Sequence, residues 1–244
     1  MKAGRGKAKI LVVDDHAIVR LGLTQAINRE QDMVSCGEAE DAPEAIRLIE
    51  STDPDVVLVD ISLRDINGIE LIKNIRAARP QQMILVVSMH DEKIYAERAL
   101  RAGARGYIMK DAGIARMIEA IRTVLRGAIY LSEKMTPALL NRAFGGGQTI
   151  EHSPIEVLTD RELEVFQLIG QGLTTAEIAR QVHLSQKTIE THSAQIRRKL
   201  DLKNVVELHQ AAFRWRQTLT PVESPPQVTS DPPTGGRDEA RHAE

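Results

Sequence analysis

Residues 10–15 read Ile-Leu-Val-Val-Asp-Asp and residues 56–60 read Val-Val-Leu-Val-Asp, two apolar runs each stopped by acid. Similar short runs occur at Met33–Cys36, Ile84–Val87 and Gly106–Met109. None shows the strict polar–apolar alternation of a sheet with one wet face. They read as strands buried on both faces, hence parallel, with helices as crossovers. The intervening segments agree, because Ile18, Leu21 and Ile27, and then Leu71, Ile72 and Ile75, recur at helical spacing. Five βα units over residues 8–126 predict a doubly wound α/β domain with a five-stranded parallel sheet.

Ligands of such sheets bind beyond the carboxyl ends of the strands, where the strand order reverses. Asp14 and Asp15 follow the first strand, Asp60 follows the third, Ser88 ends the fourth and Lys110 ends the fifth. If the first and third strands are neighbours, three carboxylates converge and repel unless a cation joins them. Hard oxygen ligands, with no histidine or cysteine expected nearby, point to Mg²⁺ rather than zinc. A carboxylate beside that ion is a nucleophile for a phosphoryl group, and a hydroxyl and an ammonium face the same place. Taken singly, Asp15 reads equally well as a helix cap and Asp14 or Asp60 as a loop acid, a lone Lys110 is more often a surface residue, and a lone Ser88 says almost nothing. Five such residues at the ends of four strands carry the reading.

Beyond this domain the periodicity dissolves. A helix over Ser132–Phe144 is expected inside a linker, 127–154, that Gly145–Gly147 interrupts. Residues 155–217 then show helical patterns only. Thr159 precedes Glu162, Thr174 precedes Glu177 and Asn204 precedes Glu207, each by three residues, and Ser185 is a fourth cap candidate. They predict helices near 160–170, 175–182, 186–200 and 205–216. Residues 218–244 hold five of the ten prolines and few large apolar residues, the composition of a disordered tail.

The segment Ser185–Lys203 carries five basic residues (Lys187, Arg197, Arg198, Lys199, Lys203) against Glu190 and Asp201, a net +3. Ile189, Ile196 and Leu200 define its core side and His192 shares it. Lys187, Glu190, Thr191, Ala194, Gln195 and Arg198 face outward. A capped helix and a short turn precede it, the arrangement of a helix read into a DNA major groove. Glu190 suits a cytosine amino group and Gln195 an adenine, whereas Lys187, Arg197 and Arg198 suit phosphates.

Composition narrows the alternatives. The chain has 244 residues and a formal net charge of −2, so any nucleic-acid contact must be local. Seven aromatics are too few for a large organic-ligand pocket or a single-strand stacking platform. Cys36 is the only cysteine, which fits a reducing compartment. No run approaches the ~20 apolar residues of a membrane span, and Ile10–Val13 is shorter than the ~7–15 residues of a secretory core. A cytoplasmic protein without membrane contact is expected.

VVDDH, VLVDISL, VVSMH and GYIMKD resemble the receiver domain of two-component response regulators, a flavodoxin-like fold. LTDRELEVFQLIGQGLTTAEIARQVHLSQKTIETHSAQIRRKL resembles the LuxR-type helix-turn-helix domain. Together, over most of residues 8–216, they resemble the NarL/FixJ class. The resemblance implies a phosphorylation-controlled transcription regulator, not a turnover enzyme. It makes Asp60 the phosphoacceptor and places Mg²⁺ on Asp14, Asp15, Asp60 and the Ser62 carbonyl. Lys110 then pairs with the phosphate, and Ser88 and Tyr107 act as switch residues. It also implies DNA contacts drawn from Lys187, Thr188, Glu190, Thr191, Gln195, Arg197 and Arg198. The implied partners are double-stranded DNA, a sensor histidine kinase and, once phosphorylated, a second copy of the chain. In similar proteins the last helix forms the dimer contact, which nominates Val205, Leu208, Ala212 and Trp215, although such a stripe is by default a core face. Two positions depart from the pattern: Arg64 stands where a proline is frequent, and Asp111 follows Lys110 where proline, often cis, is frequent. Two other classes are weighed. A phosphatase with an aspartate nucleophile would resemble a DxDx[TV] pattern where this chain has Asp14-Asp15-His16, and a small-molecule sensor is opposed by the scarcity of aromatics.

Overall fold

The computed structural model describes residues 6–133, 135 and 154–219. All of the expected Ser132–Phe144 helix beyond residues 132, 133 and 135, the Gly145–Gly147 break and nearly all of the tail lie outside the described residues. The first domain alternates β1 (Ala8–Val13), α1 (Ala17–Asn28), β2 (Met33–Ala39), α2 (Ala42–Thr52), β3 (Val56–Val59), α3 (Gly68–Ala78), β4 (Met83–Ser88), α4 (Glu92–Ala102), β5 (Tyr107–Met109) and α5 (Ile114–Leu125). The five strands are parallel in the order β2-β1-β3-β4-β5. This is the doubly wound sheet expected from the sequence, with β2 three residues longer than its apolar run suggested.

The period of two along each strand builds two cores. Ile10, Val12, Val56 and Leu58 pack with Leu23 and Ile27 of α1 and Ile121 of α5. Leu11, Val13, Val57 and Val59 face the other way, onto Ile49 of α2, Ile72 and Ile75 of α3 and Tyr95 of α4. Because β1 has β2 on one side and β3 on the other, consecutive crossovers leave in opposite directions from the carboxyl ends of β1 and β3. Asp14, Asp15 and Asp60 therefore meet at the switch point.

The second domain is helical: α6 (Asp160–Gly170), α7 (Thr175–Gln181), α8 (Gln186–Lys199) and α9 (Val205–Leu219). Thr159 with Glu162 and Thr174 with Glu177 form reciprocal capping boxes, and Ser185 accepts the Thr188 amide at 3.1 Å. Asn204 accepts the Glu207 amide at 2.9 Å. Helix α7 ends in a Schellman turn, with Leu184 N–H on the Ala179 carbonyl at 2.9 Å and His183 in the left-handed region at φ +53°. Helix α9 crosses α6 so closely that a Cβ on Gly170 would lie 2.7 Å from the Ala212 carbonyl oxygen. Leu208 and Ala212 are wholly buried by that crossing, and Trp215 packs its ring 5.7 Å from Phe166. These three side chains belong to the domain core. Of the nominated stripe only Val205, 51% exposed, faces outward, and it shares that side with Val206 and Phe213.

Candidate functional site: an acidic switch-point pocket and a recognition helix

The backbone places the acids before any side chain does. The Asp60 amide donates to the Val13 carbonyl at 2.9 Å and the Asp14 amide to Ala39 at 3.1 Å, so both sit one residue past their strands. Asp14, Asp15 and Asp60 are all buried. Lys110 Nζ lies 2.6 Å from Asp14 Oδ2 and 2.7 Å from Asp60 Oδ2. Asp14 Oδ1 accepts the His16 amide at 2.9 Å. Burial pushes the Asp60 carboxyl up to about 6; Lys110 pulls it down, while the neighbouring Asp14 pushes it further up. Lys110 is held above its ordinary value: burial lowers it, and Asp60 and Asp14 more than compensate.

One ammonium among three carboxylates leaves negative charge uncompensated. The buried acceptor Asp60 Oδ1 has no hydrogen bond, and Asp15 Oδ1 faces only the His16 imidazole, 2.5 Å away. Ligand atoms of Asp14, Asp15, His16 and Asp60 lie within 4.8 Å of one another, a spacing that suits one cation. The sequence reading expects no histidine here, but the residue after the two acids, His16, turns its imidazole onto Asp15. The carboxylate oxygens remain the majority and are hard donors, so the cluster is compatible with Mg²⁺. His16 N-caps α1 without a side-chain bond, so neither Asp14 nor Asp15 is spent as that cap.

The remaining expected residues surround this pocket. Ser62 Oγ bonds His90 Nε2 at 2.9 Å. Ser88 is fully buried and its Oγ accepts the His90 amide at 3.2 Å. The Tyr107 hydroxyl donates to the His90 carbonyl at 2.7 Å, with the ring turned inward. His90 thereby ties the loops after β3 and β4 to the start of β5, a role the sequence did not suggest. Burial lowers its imidazole below the ordinary value and raises the Tyr107 phenol well above its own. The Lys110–Asp111 bond is trans and opens a short 3₁₀ turn, and Arg64 reaches Glu40 at 3.5 Å across the pocket rim.

Gly68 is a second residue the sequence reading passed over. A Cβ there would overlap the Asp60 carbonyl oxygen and lie 2.8 Å from the Ile61 Cα. The preceding Asn67, a good N-cap type that accepts the Ile69 amide, was the available signal. Gly68→Ala is expected to cost about 3 kcal/mol or more, read as a lower urea midpoint. An unchanged midpoint would show that the loop moves freely aside.

In α8, Lys187, Glu190, Thr191, Ala194 and Arg198 are exposed along one side, while Gln195 and Arg197 are half-buried. Ile189 and Ile196 are buried, as expected. Lys199 Nζ reaches Glu162 at 2.6 Å and fixes the far end of the helix to the α6 cap. Burial works against the Glu162 charge, but Lys199 and the Thr159 amide hold its carboxyl below the ordinary range.

The near end of α8 faces the first domain. Thr188 and His192 line a groove of about 1040 Å³ shared with Lys73, Arg76, Arg98 and Arg101 of α3 and α4. Arg98 donates to the Leu158 and Ile155 carbonyls at 2.9 and 3.0 Å and to Asp160 at 3.0 Å. The Tyr95 hydroxyl donates to Gln167 Oε1 at 2.9 Å, and Asn67 Nδ2 donates to Glu164, which is 3% exposed, at 3.2 Å.

Residues 10–122 match the response regulator receiver domain and residues 156–212 match the luxR family of bacterial regulatory proteins. The chain belongs to the two-component response regulators that join a receiver to a LuxR-type DNA-binding domain, the NarL/FixJ class. The oxygen regulatory protein NreC of Staphylococcus carnosus is 37% identical over 210 residues, spanning 84% of this chain and 97% of that protein. A LuxR-family two-component response regulator from Aurantimonas sp. SI85-9A1 is 36% identical over 57% of this chain and 99% of its own, with a TM-score of 0.53. RcsB of Salmonella enterica serovar Typhimurium, solved bound to promoter P1flhDC in the presence of phosphomimetic BeF3-, is 25% identical. It covers 85% of this chain and 98% of its own, with a TM-score of 0.56. Among the described residues no helix is long and apolar enough to cross a membrane.

Proposed function

We propose that Asp60 accepts a phosphoryl group from a sensor histidine kinase and that this modification frees the second domain to bind promoter DNA as a dimer. The observation that carries the reading is Asp60 itself. One of its oxygens is bound by Lys110 and the other is buried without a hydrogen bond at the sheet switch point. In the transfer, Asp60 Oδ1 forms the new P–O bond as the P–N bond of the donor phosphohistidine breaks and its electron pair returns to the imidazole. Asp14, Asp15, Asp60 and the Ser62 carbonyl would hold Mg²⁺, which supplies charge neutralisation at the phosphoryl oxygens. Lys110 holds a fixed positive charge beside the same oxygens. Ser88 and Tyr107, joined through His90, are placed to respond when a phosphoryl oxygen takes a partner.

On the DNA side, Thr188, Glu190, Thr191 and Gln195 read bases, and Lys187, Arg197 and Arg198 hold phosphates. The base-reading side of α8 is open to water, but its N-terminal turn abuts the receiver. A duplex needs clearance around that end, because recognition helices enter the groove by their N-terminal residues. The docked arrangement therefore opposes DNA binding by crowding rather than by covering the side chains. We place the dimer contact on the outward side of α9, at Val205, with Val206 and Phe213 added. We take 8–126 as receiver, 127–154 as linker, 155–217 as DNA-binding domain and 218–244 as tail, and the cytoplasm as the working compartment.

The test is DNA enrichment followed by a gel shift on the enriched site, with and without acetyl phosphate and Mg²⁺. Phosphorylation should tighten binding at least ~10-fold, about 1.4 kcal/mol, and produce a dimer complex. If it alters neither affinity nor oligomeric state, the coupling of receiver to DNA binding is refuted.

A further inference from the structure

One of the contacts between the two domains reaches the acidic cluster itself. His183, in the turn between α7 and α8, puts its Nε2 3.5 Å from Asp15 Oδ2. We propose that the DNA-binding domain guards the metal site of its own receiver, with His183 and Mg²⁺ competing for the Asp15 carboxylate. The proposal rests on the reading of Asp14, Asp15 and Asp60 as Mg²⁺ ligands.

The seat of His183 is built rather than incidental. The Schellman turn fixes its backbone in the left-handed region, with its amide on the Arg180 carbonyl at 3.4 Å. Arg161 Nη2 holds the adjacent Val182 carbonyl at 2.8 Å, and Arg161 Nη1 pairs with Glu164 at 2.8 Å. Glu164 in turn takes the Asn67 side chain, and Asn67 lies in the receiver loop after β3. A chain of contacts therefore runs from the receiver loop beside Asp60, through α6, to the turn that carries His183.

Asp15 has both oxygens attended by imidazoles: His16 Nδ1 is 2.5 Å from Oδ1, and His183 approaches Oδ2. Only the first belongs to the receiver. Mg²⁺ keeps several waters in a near-octahedral shell, so it needs room around a ligand carboxylate as well as its charge. An imidazole from the other domain takes that room and draws on the same charge. Two ligands that exclude each other at one carboxylate are linked, so the factor by which docking weakens Mg²⁺ is the factor by which Mg²⁺ weakens docking. The docked molecule is thus the poorer acceptor of a phosphoryl group, and metal loading begins the release that phosphorylation completes.

The test uses the full chain and MgCl₂ alone. His183→Asn suits the turn, because Asn tolerates positive φ yet is too short to reach Asp15; His183→Gly is the second variant. Calorimetric titration should give a Mg²⁺ Kd about fivefold lower, or better, in both variants than in the wild type. Small-angle X-ray scattering should show Mg²⁺ enlarging the radius of gyration of the wild type, and of the variants at lower concentration. Equal Kd values in all three proteins would overturn the guard while leaving the metal site standing. Tighter Mg²⁺ with no change of radius would overturn the competition with docking. Heatless titrations in all three proteins would overturn the metal site itself, and the guard with it.

Discussion

Asp60→Asn protein incubated with acetyl phosphate and Mg²⁺ will take up no acid-labile phosphoryl group, whereas the wild type will take up one. The amide is a far weaker nucleophile than the carboxylate, and Asp14 and Asp15 are not interchangeable with Asp60. Both Asp14 oxygens are taken, by Lys110 and the His16 amide, and Asp15 Oδ1 faces the His16 imidazole, whereas Asp60 Oδ1 has no hydrogen bond. Undiminished labelling of the variant would refute the assignment.

The same substitution has a stability consequence with a definite sign. Asp60 titrates near 6 in the folded protein against an ordinary 3.8, chiefly because burial disfavours its charge. The folded state therefore holds this proton more tightly than the unfolded chain does. Its contribution to stability is complete below pH ~4 and is lost as pH rises through 6. Asn carries no charge at any pH and escapes that loss. Asp60→Asn should gain more over the wild type at pH 8 than at pH 4. A shift of this size corresponds to roughly 3 kcal/mol, and the loss of one Lys110 partner offsets part of it. Melting curves at the two pH values measure the difference, and an equal gain at both would show that burial is not what raises Asp60. Wild-type labelling at low Mg²⁺ should likewise weaken below pH 6, where Asp60 holds its proton.

The receiver was legible because its signal is local. Apolar runs that end in acid, at Val13–Asp14 and Val59–Asp60, give strand, strand end and site in one short reading. The caps were legible for the same reason, since Thr159 and Glu162 lie within one turn of helix. The stripe on α9 was ambiguous in principle: a period of 3.6 marks a face that is buried without saying by what. Here α6 buries it, which is why Leu208 and Ala212 belong to the domain core while Val205, Val206 and Phe213 are exposed. The domain interface was illegible. Tyr95 with Gln167, Asn67 with Glu164, and Asp15 with His183 pair residues 72, 97 and 168 positions apart, and no periodicity links them. Polar side chains in such places read as ordinary surface until the two domains are set side by side.

Charge reversal at Arg98 will release the second domain without phosphorylation. Arg98 is the hub of the interface: its guanidinium, 21% exposed, donates to two backbone carbonyls and to Asp160. Arg98→Glu removes all three bonds and sets one carboxylate against another where Asp160 is 12% exposed. Loss of one partner of a buried charge pair costs about 2–5 kcal/mol, and solvent at this partly open site lowers that figure. Lys73, 3.0 Å from Asp160 but half-exposed, cannot replace the bonds to Leu158 and Ile155. Even ~1.4 kcal/mol shifts a two-state equilibrium tenfold. The unphosphorylated variant should therefore bind an enriched DNA site about tenfold more tightly than the wild type and scatter X-rays as a longer particle. Phosphorylation should add less to the variant than to the wild type, because part of the work is already done. The reciprocal Asp160→Arg change, combined with Arg98→Glu, re-forms one of the three contacts with its signs exchanged and should recover only part of the restraint, because the bonds to the Leu158 and Ile155 carbonyls stay lost. If Arg98→Glu elongates the particle but leaves DNA affinity unchanged, docking does not restrain the recognition helix. Phosphorylation would then have to act through the outward side of α9 alone, where Val205→Asp, Val206→Asp or Phe213→Asp should abolish the dimer complex while leaving uptake at Asp60 intact.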